Sequence, residues 1–147
     1  MERNEVVALL NELIHLDIDA VRAYGQAIDN IRDTAVRQTL TGFRADHERH
    51  VTELSALVRN YGGEPAHRPD LKGVLLEGMT AIRSAMGEGP ALRAMRDNER
   101  FTNRRYVKAL ETPGLPDEVR NLIASNREDE RRHLAWIEAR VAQQAPV

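Results

Sequence analysis

Glu130-Arg-Arg-His133 sets a carboxylate and an imidazole three residues apart, a spacing that turns both side chains to one face of a helix. His47-Glu-Arg-His50 repeats the spacing with histidine in both places. Two more acids, Asp17 and Glu99, interrupt otherwise apolar helical stripes. Three carboxylates and three imidazoles form a nitrogen–oxygen donor set suited to a transition metal such as iron, manganese or zinc. The chain has no cysteine, which excludes thiolate ligation, disulfides and thiol chemistry.

The elements that must position these residues are long amphipathic helices. None of the six prolines lies in the first 64 residues, and the apolar periodicity predicts helices over about 4–30, 34–61, 70–86, 91–111 and 117–142. Asn4 and Asp33 are candidate N-caps, Gly62-Gly63 a C-cap, and Pro90 suits a helix start. The first stripe runs Val6, Leu10, Leu13, Asp17, Ala20, Tyr24, Ala27 and Ile31, with His15 and Asp19 pointing away. The second runs Val36, Leu40, Phe43, His47, His50, Leu54, Leu57 and Tyr61, with Asp46 at its flank. Leu92, Met95, Glu99, Thr102, Tyr106 and Leu110 form the next, and Val119, Ile123, Asn126, Glu130, His133 and Ile137 the last.

The two tight connections make antiparallel hairpins, and residues 62–89 are long enough to return along the bundle. This predicts an all-α, antiparallel four-helix bundle in up-down-down-up order, a single domain over 1–147, with a short crossover helix between helices 2 and 3. Asp17, His47, His50, Glu99, Glu130 and His133 all fall near the midpoints of their helices, so they should meet at one level. Buried charges cost several kcal/mol each, so these groups must neutralise one another or bind something.

Composition narrows the function. Of 147 residues, 21 are Lys or Arg and 23 Asp or Glu, a net charge of -2, which argues against a nucleic-acid binder or a polybasic membrane protein. The start, Met-Glu-Arg-Asn-Glu, is no signal peptide, and no apolar run is long enough to span a membrane; a soluble, cytoplasmic protein is expected. Arg93, Arg96, Arg100 and Arg104 read as a solvated face.

On Glu130-x-x-His133, His50 and the two lone acids, the chain resembles the ferritin-like superfamily. Its di-iron carboxylate members use one acid from each of two helices and Glu-x-x-His from each of the other two. The resemblance implies that Asp17 and Glu99 take the lone-acid places, and Glu130, His133 and His50 the motif places. His47 stands where the superfamily has a bridging glutamate. Asp17-Ile-Asp-Ala20, Gly62-Gly-Glu-Pro65 and Leu115-Pro116 also resemble a small bacterial branch of it. The implied protein is a ferritin-like metal binder, its cofactor iron in a mononuclear or dinuclear site, with manganese and zinc as alternatives. It would carry oxidase or peroxide-linked chemistry in iron or oxidative-stress handling. Its expected partner is the metal ion, with no nucleic acid or membrane, and a homo-oligomer is left open. The alternative is a non-enzymatic helical stress or interaction module with a metal-free histidine–carboxylate network. Tyr24 and Tyr106 are either donors to the site or ordinary core residues.

Overall fold

Chain-stiffening and chain-breaking residues set four helices, seen in a computed structural model that describes residues 1–68 and 87–144. They are α1 (Arg3–Asp29), α2 (Thr34–Asn60), α3 (Glu88–Leu110) and α4 (Asp117–Gln143), and no strand occurs among the described residues. The predicted short helix over 70–86 lies outside the described residues.

Local signals account for most of the boundaries. Asp33 Oδ1 accepts the Val36 N–H at 3.0 Å and caps α2, an interaction worth about 1 kcal/mol. Gly62, at φ 79°, ends the same helix: its N–H reaches the Arg59 carbonyl at 2.9 Å and that of Gly63 the Val58 carbonyl at 3.0 Å. This Schellman arrangement needs the left-handed residue that glycine supplies. Two expected starts are corrected. Asn4 does accept the Glu5 N–H, but α1 begins at Arg3 because the Glu2 carbonyl already takes the N–H groups of Glu5 and Val6. Pro90 lies within the first turn of α3, where its missing N–H costs nothing, and the helix opens at Glu88 behind Gly87.

Inter-helix pairs fix the directions. From one end of α1 to the other, Glu12 meets Arg105, Asp17 meets Tyr106 and Tyr24 meets Glu99, so α3 runs antiparallel to α1. Along α2, Asp46 meets Arg132, Arg49 meets Asp129 and Tyr61 meets Glu118, so α4 runs antiparallel to α2. With a tight α1–α2 connection the order is up-down-down-up, as the sequence led us to expect, and α2 ends at the opposite end of the bundle from the start of α3.

The apolar core comes in two blocks. One gathers Ala27, Ile31, Val36, Leu40, Phe43, Leu92, Met95 and Ile137; the other Val6, Leu10, Ile14, Leu54, Val58, Val119 and Ile123. Most of these side chains are fully buried, each stabilising the fold by about 1.5–3 kcal/mol if large and aliphatic. Between the blocks lies a polar level.

The two hairpins are copies of one pattern. One interval relates Asp17 to Glu99 and Tyr24 to Tyr106. An interval longer by one residue relates Val36, Leu40, Asp46, His47, Arg49, His50 and Leu54 to Val119, Ile123, Asp129, Glu130, Arg132, His133 and Ile137. The site therefore sits on a pseudo-two-fold, and within it the pair His47/Glu130 breaks the symmetry.

Candidate metal centre

All six residues singled out by their spacing meet at the polar level, and each is buried, with at most 1% of its surface exposed. Asp17, His47, His50 and Glu130 form one group of mutually close donor atoms; His47, Glu99, Glu130 and His133 form another. Within each group the donor atoms lie within 4.8 Å of one another. His47 and Glu130, the symmetry-breaking pair, belong to both.

His47 lies between the groups. Its Nδ1 is 2.6 Å from Asp17 Oδ1 and 3.4 Å from Glu130 Oε1, and its Nε2 is 3.2 Å from Glu99 Oε1. Both contacts to the lone acids are hydrogen bonds to carboxylates, so in the metal-free molecule both ring nitrogens donate. Burial opposes the charge on His47, but Glu130, Asp17 and Glu99 outweigh it and hold the ring well above its ordinary pKa.

His50 and His133 are set by reciprocal outer partners. His50 Nε2 donates to Asp129 Oδ2 and His133 Nε2 to Asp46 Oδ2, each at 2.8 Å. Each Nδ1 is thereby turned inward: that of His50 is 3.0 Å from Asp17 Oδ1, that of His133 3.5 Å from Glu99 Oε1. Arg132 bonds both outer acids, at 2.7 Å to Asp46 and 3.2 Å to Asp129. Arg49 likewise bonds Asp129 and, at 3.3 Å, Asp46. Asp46 stood at the flank of its stripe and Asp129 was missed. The signal for both was their place directly before the first residue of each x-x-His motif.

Two tyrosines close the level from above and below. Tyr24 donates its hydroxyl to Glu99 Oε1, and Tyr106 to Asp17 Oδ2. Both phenols are fully buried; burial, reinforced by the acid each one bonds, raises their pKa well above the ordinary value. They are donors to the site as well as core residues. Phe43 stacks on the His133 ring at 4.3 Å between centroids and meets Trp136 edge-on, so Trp136 packs behind the site.

The carboxylates divide by environment. Burial pushes Asp17 up, but hydrogen bonds and charge from His47 and His50 hold it below its ordinary value; Glu99 is lowered in the same way by His133 and His47. Glu130 is pushed up to about 7 by burial and the charge of Glu99. His50 is raised to about 10 and His133 to about 9, burial being outweighed by the acids that face them.

Other expectations needed correction. Asp19 does not point away from the bundle: it is 1% exposed and lies on the α1–α3 seam beside Glu99, because a helix with two neighbours buries a wider arc than its central stripe. His15 is half-buried, its Nδ1 donating to the Arg68 carbonyl at 2.6 Å, whereas His67 is exposed.

Fold and site together define an all-α four-helix bundle with a buried carboxylate–histidine centre. A family described as a domain of unknown function, DUF2383, matches residues 5–112, and the chain belongs to that family. The match spans α1, α2 and α3 and stops before α4, which carries Glu130 and His133. No curated protein matches the chain. Among the described residues no helix is long and apolar enough to cross a membrane.

Proposed function

We propose that this chain is a ferritin-like metal-binding protein that holds iron, or manganese or zinc in its place, among Asp17, His47, His50, Glu99, Glu130 and His133. One observation carries the reading. Both oxygens of Glu130, Oε2 of Glu99 and Nδ1 of His133 are buried without a hydrogen-bond partner. The nitrogens nearest Glu130 lie 3.4, 3.5 and 3.8 Å away, too far or too poorly aligned to bond. A buried group left unsatisfied costs about 1–3 kcal/mol, more if charged. These atoms, brought together from α3 and α4, fit a cation among them better than they fit a finished hydrogen-bond network.

The donor set suits the metal as well. With Nε2–H of His50 and His133 committed to Asp129 and Asp46, the Nδ1 lone pairs are the ones available inward, and the outer carboxylates raise the basicity of both rings. Glu130 belongs to both donor groups, so it is the carboxylate placed to serve two positions. His47 takes the other shared place, making the two positions unequal. A bound iron would supply one-electron or oxygen-linked chemistry. The protein's own part is to orient the ligands, enclose the level between two apolar blocks and hold protons on Glu130 and the histidines.

Metal analysis of protein purified without a histidine tag, after reconstitution with iron, manganese and zinc, tests the reading. Less than about 0.1 metal per chain would sink it, since such a set should bind when its ligands deprotonate. Glu130→Ala and His133→Ala should each abolish the metal-dependent rise in melting temperature with helicity retained. If both keep the full rise, the metal sits elsewhere.

A further inference from the structure

The two copies of the hairpin pattern differ most at the α1–α3 seam. On the Asp17 side the seam is apolar: Leu13 and Leu16 are 3% and 5% exposed and join the apolar block there. The repeat places Asn98 where the first copy has Leu16, each directly before its acid. Asn98 is 6% exposed, and its Nδ2 has no hydrogen-bond partner. Beside it the packing leaves a cavity of about 10 Å³, lined by Asp19, Ala20, Ala23, Met95, Asn98, Glu99 and Thr102. Glu99 Oε1 is taken by Tyr24 and His47, whereas Oε2 has no partner.

Leucine at the equivalent position shows that the architecture accepts an apolar side chain there. A buried amide instead, with its donor unused, costs about 1–3 kcal/mol unless something completes it. A cavity of roughly 10–15 Å³ holds one water, provided two to four polar groups face it. Asn98 Nδ2 offers a donor and Glu99 Oε2 an acceptor. Thr102 Oγ1, which gives its proton to the Asn98 carbonyl at 3.0 Å, keeps lone pairs free. The occupant must therefore both accept and donate. Water does; dioxygen, which has no proton to give, does not.

We propose that the Asn98 cavity seats one water molecule against Glu99, so that the α1–α3 seam is the side from which the carboxylate–histidine centre takes its non-protein ligand. The second half of this rests on the metal reading above; the seat itself does not. The asymmetry of the repeat gives the direction. The Glu99 half has a small cavity lined by Asn98 and Thr102 where the first copy has Leu16 and Ala20, whereas Met95 and its counterpart Leu13 are apolar alike.

The seat is tested on metal-free protein by nuclear Overhauser contacts between long-lived water and the Asn98 side-chain amide. Wild type should show the cross-peak, and its absence overturns the proposal. Ala23→Val, which fills the cavity and keeps the Asn98 amide, should lose the contact, and Asn98→Leu, copying Leu16, should keep the wild-type melting temperature. With Mn(II) bound at unchanged stoichiometry, Asn98→Leu should cut water-proton relaxivity at least several-fold. Unchanged relaxivity overturns the assignment of the open side. Should Asn98→Leu fail to fold, Ala23→Val gives the relaxivity readout as well. If no Mn(II) binds to wild type, the metal reading fails while the metal-free experiment still decides the seat.

Discussion

The Tyr24 hydroxyl donates to Glu99 across the α1–α3 seam, and its repeat partner Tyr106 donates to Asp17 in the reverse direction. Each phenol sits seven residues beyond the acid of its own helix and bonds the acid of the other. The two bonds lock the register of α1 against α3 at the level of the site. Removing either leaves a buried carboxylate oxygen short of a donor. Tyr24→Phe and Tyr106→Phe should each destabilise the metal-free protein by about 1–3 kcal/mol, a fall of roughly 2–4 °C in melting temperature per kcal/mol for a chain of this size. Thermal melts followed by circular dichroism check this; an unchanged midpoint in both variants would mean that neither bond supports the fold.

The pH dependence follows from the direction of each shift. His50 and His133 titrate at about 10 and about 9 in the folded chain, and His47 well above its ordinary value. Groups raised on folding contribute fully below their unfolded value, about 6.5 for histidine, and lose that contribution as pH rises through the folded value. Asp17 and Glu99 are lowered, so their contribution is present above about 4 and lost as pH falls. Glu130, raised to about 7, stabilises as the neutral acid and loses that effect between its ordinary value and about 7. Metal-free protein should therefore be most stable at about pH 4.5 and weaken steadily towards pH 10, first as Glu130 ionises and then as the histidines lose their protons. Metal needs neutral imidazoles, so the metal-induced rise in melting temperature should grow from pH 6 to 9. Paired melts with and without metal across that range decide it; a metal-free midpoint flat from pH 6 to 10 contradicts the charged histidines.

Asp46 and Asp129 are about four-fifths buried and hold His133 and His50 from outside, with Arg49 and Arg132 as their counter-charges. Asp46→Asn and Asp129→Asn keep an acceptor oxygen but remove the charge that makes the ring basic. Each should weaken metal binding by about 10–100-fold with helicity intact. Competition against a chromophoric chelator measures this, and wild-type affinity in both variants would remove the outer acids from the site.

The helices and the six inner residues were legible because each rests on a short-range signal: apolar spacing, a cap, a proline, a three-residue motif. Asp17 and Glu130 could be placed inside from the stripe of one helix alone. What escaped the sequence depends on two helices at once. Asp129 lies off the stripe of α4 and is drawn in across the helix pair by His50 and Arg49 of α2. Asp19 is buried by α3 rather than by the central stripe of α1. The repeat was hidden for a different reason: its two halves share little beyond the site and its neighbouring core positions, and the interval changes by one residue between the helix pairs.

His47 is the one inner place where the repeat changes chemistry, an imidazole opposite the carboxylate of Glu130. In the metal-free molecule it is the cation that Asp17 and Glu99 share, its two nitrogens at 2.6 and 3.2 Å from them. His47→Glu would make the halves alike, but it would leave four inner carboxylates facing only His50 and His133. Losing one partner of a buried pair costs about 3–5 kcal/mol, so the metal-free variant should melt well below wild type at pH 7. Metal would then meet one more anionic oxygen and one fewer imidazole, and the metal-induced rise in melting temperature should exceed that of wild type. Stoichiometry read alongside the melts shows whether a second equivalent binds. A metal-free melting temperature equal to that of wild type would show that His47 is not the internal counter-charge.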